Sequence, residues 1–242
     1  MKLIKLDAID STNDFLKSLS SQDELENFTV VTAENQTKGK GQMGAKWKSE
    51  TGKNLIMSVL VKDFLFDNEQ VFNLSIVVSL SVLDVLKSLN IPDLCIKWPN
   101  DIMSYNKKIG GILIENTLKS DGRIVSVVGI GLNVNQTNFE ELPRGSSLAV
   151  ICGRTFDKNE LTILIAEKIK EKTELWQNEV SVFWEDYFNS LFRKGIPMPF
   201  KNLEGNNFMG IIQGVSPVGK LQVLLEDDSV SEFEIKEIQM LY

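Results

Sequence analysis

The sequence predicts an α+β fold: a mixed, largely antiparallel sheet flanked by helices, with a small C-terminal β unit. Three observations point there. Short β-branched apolar runs follow one another through tight polar turns, which suits antiparallel pairing better than repeated strand-helix-strand crossovers. One long apolar segment carries helical rather than strand periodicity. Past Lys194-Gly195-Ile196-Pro197 the texture changes to short alternating strands of the kind that build a small barrel.

The elements follow in order. Ser11-Thr12-Asn13-Asp14, before Phe15, Leu16 and Leu19, reads as a capped short helix, because hydroxyl and amide side chains satisfy the orphan amides at its start. Phe28 to Ala33 is a strand leading into a glycine loop, and Asn54 to Val61 is another. Between Gln70 and Leu89 the residues Val71, Leu74, Val78, Val82, Val85 and Leu89 keep helical spacing, which predicts a mostly buried helix against a sheet. Three strands are expected next, over Leu94 to Trp98, Ile109 to Glu115 and Arg123 to Val134. Asn106-Lys107 lies in the first connection and Ser120-Asp121-Gly122 makes the second. The last of the three is expected at an exposed sheet edge, open to pairing with another chain. Two helices follow, Lys158 to Gln177 and Val180 to Arg193. The strands Phe208 to Val215, Lys220 to Leu225 and Ser229 to Ile235 close the chain, placing a boundary between residues 1–193 and 194–242.

With 242 residues, 43% of them apolar and 24% charged, the chain can build one sizeable core and a small appendix. A net charge of −7 leaves no overall basic footprint, which disfavours DNA as a partner. Charges at Lys2, Lys5 and Asp7 come too early for a signal peptide, and no apolar stretch reads as a membrane span, so a cytoplasmic protein away from the membrane is expected. Cys95 and Cys152 lack CxxC spacing and lie in apolar company, as buried free thiols do. Histidine is absent altogether. That excludes Ser-His-Asp and Cys-His catalysis and ordinary zinc sites, leaving lysine, carboxylates, backbone amides, a bound metal ion or the substrate to do the chemistry.

Two segments carry such chemistry. Lys97-Trp98-Pro99-Asn100-Asp101 ends the apolar run from Ile91 to Ile96 with a lysine and a carboxylate, either as an ordinary surface turn or as one wall of an anion site. Gly39-Lys40-Gly41-Gln42-Met43-Gly44, flanked by Gln36, Lys38, Lys46 and Trp47, is either a flexible surface loop or the other wall. Gly39, Gly41 and Gly44 satisfy G-x-G-x-x-G, with Asp63 near the distance of a ribose-binding acid. A dinucleotide fingerprint, however, needs a helix immediately after the glycines, and here a turn and a strand follow. A P-loop fails too, because Ala45-Lys46 stands where Lys and then Ser or Thr are required.

Taken together, Ser11-Thr12-Asn13, Gln36 with the glycine loop and Trp47, the Lys97 to Asp101 segment, Lys108-Ile109-Gly110-Gly111-Ile112-Leu113-Ile114-Glu115 and Gly129-Ile130-Gly131-Leu132-Asn133 resemble the biotin protein ligases, also called holocarboxylase synthetases. The motifs occur in family order over most of Ser11 to Asn135. The resemblance implies a class II aminoacyl-tRNA synthetase-like catalytic domain and a C-terminal SH3-like domain. It also implies two steps: biotin and ATP, with Mg2+, give biotinyl-5'-AMP and pyrophosphate, and the mixed anhydride then acylates a lysine of a biotin carboxyl carrier protein, such as the acetyl-CoA carboxylase subunit.

By the same resemblance the reaction falls to Lys97, Asp101 and Lys108. Lys97 would meet the biotin carboxylate and α-phosphate, Asp101 would orient or deprotonate the incoming lysine, and Lys108 would hold nucleotide phosphate. An ordinary Asp101–Lys108 salt bridge is the alternative. Biotin would be held by Ser11, Thr12, Asn13 and Gln36 at its ureido head, with Gly39, Lys40, Gly41, Gly110 and Gly111 close by. The nucleotide would meet Lys40, Gln42, Met43, Gly44, Trp47, Asn54 and Asn133. For Trp47 a place in the core competes with this role. No cluster of acids predicts ligands for Mg2+. Lys40 and Gln42 stand where one familiar version of the loop has two arginines, so the planar fork is lost at both and the charge at one.

Ser11 comes too early for the N-terminal winged-helix domain that some members carry, so a ligase without operator binding is expected, as a monomer or weak homodimer. A lipoate ligase or octanoyl transferase shares the catalytic fold, and there Cys95 would be the conceivable nucleophile. A non-catalytic biotin-binding protein would not need the phosphate-facing lysines.

Overall fold

The structure, a computed structural model, describes residues 1–22, 24–65 and 70–242. Alternating Leu3-Ile4-Lys5-Leu6 forms β1 (Leu3–Ile9), an edge strand absent from the sequence-based expectation. It leads through α1 (Thr12–Gln22) to β2 (Val30–Gln36), and β1 and β2 pair in parallel. Ser11 caps α1 as its chemistry requires: its Oγ accepts from the Asp14 amide at 3.3 Å.

β3 (Leu55–Lys62) continues the sheet antiparallel to β2 and precedes α2 (Val71–Ser88). The next segment is a hairpin of β4 (Leu94–Lys97) and β5 (Asp101–Ser104), the second strand again unforeseen because it is short and opens on a carboxylate. β6 (Lys107–Leu118) and β7 (Ile124–Leu132) complete a seven-stranded sheet in the order β1-β2-β3-β7-β6-β5-β4. β7 is therefore not an edge strand, as the sequence suggested. It lies between β3 and β6 and pairs with both. Its unalternated run Ile124-Val125-Ser126-Val127-Val128 is the signature of a strand buried on both faces, and that signal outweighs the hairpin turn beside it.

α2 reaches a mean hydropathy of 1.6 over 18 residues, so by length and composition one segment does qualify as a membrane span, against expectation. Yet 67% of it is buried between the sheet and the long C-terminal helix. After α3 (Leu148–Cys152), that helix, α4 (Lys158–Asn189), is one run rather than two, with a single non-helical residue at Glu179 where the break between two helices was expected. Asp157 caps it, accepting from the Asn159 amide at 2.7 Å.

Beyond Asn189 come β8 (Pro197–Asn202), β9 (Asn207–Val215), β10 (Leu221–Leu225), β11 (Val230–Phe233) and β12 (Ile238–Met240), in a five-stranded sheet of order β11-β10-β9-β8-β12. β8 and β12 are additions to the expectation. Their inward residues Met198, Phe200, Ile238 and Met240 join the same buried cluster as α2, α4 and the large sheet. The C-terminal unit thus shares the core of the rest, and Trp98 pins the two together by donating from Nε1 to the Gly219 carbonyl at 2.9 Å.

Candidate active site

The β4–β5 hairpin sets the chemistry. Lys97 and Asp101 are four apart in sequence and directly paired across the two strands, so their side chains share one face. The turn between them is locked at both ends of Asn100: its side chain donates to the Ile112 carbonyl at 2.6 Å and its own carbonyl accepts from the Ile112 amide at 3.0 Å. Lys97 Nζ stands 3.6 Å from Asp101, and Lys108 Nζ reaches the other carboxylate oxygen at 2.5 Å. The Asp101–Lys108 salt bridge is real, and at 17% side-chain exposure Asp101 is shielded enough for its pairs to be ordered. Opposite Asp101 lies Gly111, where a Cβ would come within 3.4 Å of Lys108 Nζ and 3.6 Å of the Trp47 ring.

A second cluster forms at the start of α1. Gln36 Oε1 accepts from the Thr12 amide at 2.8 Å and from Thr12 Oγ1 at 3.0 Å, which points its amide nitrogen away from Thr12. Ser58 on β3, fully buried, donates to Asn13 Oδ1 at 2.6 Å, and its Oγ lies 2.8 Å from Thr12 Oγ1. Asn13 in turn donates to Glu115 at 2.8 Å, and Lys17 neutralises Glu115 at 2.9 Å. Gly129 makes room for this network: a Cβ there would meet Asn13 Oδ1 at 2.5 Å. Neither Ser58 nor Glu115 was singled out from sequence as a site residue. A serine in an apolar strand and an acid at the end of one give no local sign of meeting an asparagine on a distant helix.

The glycine loop bends back on itself, with Trp47 donating to the Gly39 carbonyl at 3.0 Å and Gly41 to the Ala45 carbonyl at 2.7 Å. Ion pairs tether it to the start of α1, Lys38 to Asp10 and Lys40 to Asp14, both at 2.7 Å. The Asp14 bond raises the Lys40 pKa above its ordinary value. The loop lays the Trp47 ring on the sheet at Gly131, where a Cβ would lie 2.5 Å from the indole. Trp47 Nε1 is buried without a hydrogen-bond partner. Lys108 Nζ lies 5.9 Å from the centroid of the same ring.

These parts enclose one cleft of about 260 Å³. It brings together the expected Ser11, Thr12, Asn13, Gln36, Lys40, Gly41, Gln42, Met43, Trp47, Asp101, Lys108 and Gly111. Lys97 faces an adjoining cavity, while Gly39 and Gly44 line the outer side of the loop. Gly110 packs against Gly131 and Leu132. Asn54 and Asn133 are buried: Asn54 accepts from the Val134 amide at 3.0 Å and donates to Gln136 Oε1 at 2.6 Å, and Asn133 donates to the Ser146 carbonyl at 3.0 Å. Neither is among the residues that line the cleft. Lys40, Lys46, Lys108 and Lys236 line the cleft against a single carboxylate, Asp101, although the chain as a whole is acidic. Such a site favours an anion.

Among the described residues no group of three or more acidic, histidine or cysteine side chains clusters to hold a metal ion. Cys95, on β4 with Lys97, has its thiol pKa pushed up to about 11 by burial, with the Asp93 charge adding to it. At pH 8 this leaves about a hundredfold less thiolate than an ordinary cysteine has. Iodoacetamide labelling of Cys95, followed by mass spectrometry, is expected to be correspondingly slow, and labelling at the rate of a free thiol would restore it as a nucleophile.

Comparison with known proteins gives a consistent picture. The model of the "Biotin/lipoate A/B protein ligase family" matches residues 6–135. The bifunctional ligase/repressor BirA of Salmonella typhimurium is 32% identical, over 93% of this chain and 69% of its own. The biotin-[acetyl-CoA-carboxylase] ligase of Mycobacterium tuberculosis is 28% identical, over 87% of this chain and 79% of its own. The solved structure of the biotin protein ligase from Aquifex aeolicus in complex with biotin and ATP matches with a TM-score of 0.80 at 28% identity, over 99% of this chain and 98% of that one.

Proposed function

We propose, on the premise that this chain belongs to the biotin/lipoate A/B protein ligase family, that its cleft activates biotin with ATP and passes it to a carrier lysine. It is a biotin protein ligase, with biotin and ATP as its substrates. The observation that carries the reading is the cleft's polarity. One end offers the Thr12 and Gln36 groups, with buried Ser58 behind Thr12, and the other gathers lysines around Asp101. A ureido ring with a carboxylate tail meeting a polyphosphate needs that arrangement.

In the first step a biotin carboxylate oxygen attacks the α-phosphorus of ATP. Both reactants are anions, so the site must offset their repulsion and hold them in line. Lys97 and Lys108, ordered by their common partner Asp101, supply that charge. Mg2+ would arrive with the nucleotide, held by phosphate oxygens, with Asp101 as the one carboxylate lining the cleft. In the second step the carrier amine attacks the anhydride carbonyl, and AMP leaves. Asp101 is the group placed to accept a proton or orient that amine. The protein substrate is a biotin carboxyl carrier domain, as the name of the Mycobacterium tuberculosis relative suggests. Both cysteines are free thiols, and we place the protein in the cytoplasm.

Incubation with ATP, Mg2+ and equimolar biotin and lipoate, then with a carrier domain, tests the reading by mass spectrometry. Biotinyl-5'-AMP followed by a biotin-sized increase on the carrier is expected. Lipoyl transfer, or bound biotin without adenylate, would overturn it.

A further inference from the structure

A second cavity of about 350 Å³ adjoins the cleft, between the β4–β5 hairpin and the C-terminal strands. Lys97, Arg144 and Lys236 line it, and among the described residues no carboxylate does. The two spaces meet at Ile235 and Lys236, which line both, whereas Thr12 and Gln36 line the cleft alone. Asp101 links them through its ion pairs, to Lys108 on the cleft side and Lys97 on the cavity side.

Two of these cations come from outside the motif segments, and each is held in place without a carboxylate partner among the described residues. Arg144 is brought in because its carbonyl accepts from the Lys108 amide at 2.8 Å, and its guanidinium stacks 4.5 Å from the centroid of the Tyr242 ring. The same ring lies 5.6 Å from Lys97 Nζ, so one aromatic ring neighbours both cations. Lys236 occupies a turn after β11 and donates from Nζ to the Met43 carbonyl of the glycine loop at 2.7 Å, which leaves two of its donors for a ligand. In a chain with 33 acidic against 26 basic residues, three cations around one cavity without a lining carboxylate mark a place for an external anion.

Resting on the ligase reading, we propose that Arg144 and Lys236, together with Lys97, receive the pyrophosphate released in the first step. As the biotin oxygen bonds to the α-phosphorus, the bond from that phosphorus to the α,β-bridging oxygen breaks, and pyrophosphate leaves with the electron pair. In-line displacement sends it away from the attacking carboxylate, hence away from the Thr12 and Gln36 end. The arginine fork suits two phosphate oxygens at once, and charge accumulates there as the bond breaks. Through Lys236 the C-terminal unit thereby serves adenylate formation, the step in which pyrophosphate leaves.

The test separates the two half-reactions. Arg144→Ala and Lys236→Ala, made in the full chain, are each expected to weaken inorganic pyrophosphate, measured by calorimetric titration and as product inhibition of adenylate formation, by about tenfold or more. For Arg144→Ala, whose side chain lies outside the cleft, single-turnover transfer from synthetic biotinyl-5'-AMP to a carrier domain should stay within about twofold of the parent protein, which also controls for folding. Arg144→Lys should recover part of the pyrophosphate affinity. Unchanged pyrophosphate binding in both alanine variants would overturn the proposal, and so would equal loss in the two half-reactions for Arg144→Ala. Failure of the parent protein to form biotinyl-5'-AMP would instead sink the ligase reading, and direct pyrophosphate titration would still report on Arg144 and Lys236.

Discussion

Lys97→Ala is expected to lower biotinyl-5'-AMP formation by about a hundredfold to a thousandfold, the usual cost of losing one preorganised group at developing charge. Two effects add. The side chain is only 20% exposed and carries a full charge into the cavity that adjoins the cleft, where water screens it poorly. Its removal also leaves Asp101 with a single partner, Lys108, so the local field turns less favourable to two approaching anions. Gln42→Ala should be milder, about tenfold or less, because it removes a neutral side chain from a bent loop and no charge. Pyrophosphate release by the folded variants, measured with saturating biotin and ATP, decides the ranking. Equal losses would show that the loop matters as much as the strand-end lysine.

Gly129→Ala should damage the other end of the cleft. The added Cβ would lie 2.5 Å from Asn13 Oδ1 and 3.0 Å from its Cγ and Nδ2, so the Asn13 side chain must move. That side chain accepts from Ser58 at 2.6 Å and donates to Glu115 at 2.8 Å, and Ser58 also touches Thr12. Overpacking of this kind costs about 1–3 kcal/mol. In a chain of this size that corresponds to a fall in Tm of several degrees, at roughly 2–4 °C per kcal/mol. Biotin affinity should drop about tenfold or more, since a displaced Asn13 loosens the hydrogen bonds that orient Thr12 and Gln36. The double variant Asn13→Ala with Gly129→Ala separates the causes: its Tm should recover relative to Gly129→Ala while its biotin affinity does not. If Gly129→Ala titrates biotin like the parent protein, the polar cluster does not bind the ureido group.

Much of this was legible in the chain because the signals are local. The Lys97 to Asp101 segment reads as a strand end that delivers a lysine and a carboxylate, and the structure pairs these two across a hairpin whose second strand the sequence did not announce. Ser11 reads as a helix cap from its neighbours alone, and caps α1. The absence of histidine restricted the chemistry before any geometry was known. The ordered motifs from Ser11 to Asn135 resembled one family, and that family is the one the chain belongs to.

What only the tertiary structure decided are matters of long-range pairing. Sequence placed β7 at an edge, but it lies between β3 and β6, since a strand's neighbours are chosen by which faces can be buried together and not by the turn that precedes it. Asn54 and Asn133 are expected nucleotide contacts, and only the fold shows that their amides also hold backbone groups of Val134 and Ser146, because buried peptide groups must be paired and these side chains are the ones in reach. Arg144, Lys236 and Tyr242 carry no motif, and they come to Lys97 only because the segment after β7 runs beside Lys108 and the C-terminal sheet shares the core of α2 and α4. The local sequence determined which groups would do chemistry. The packing of distant segments decided which of them meet.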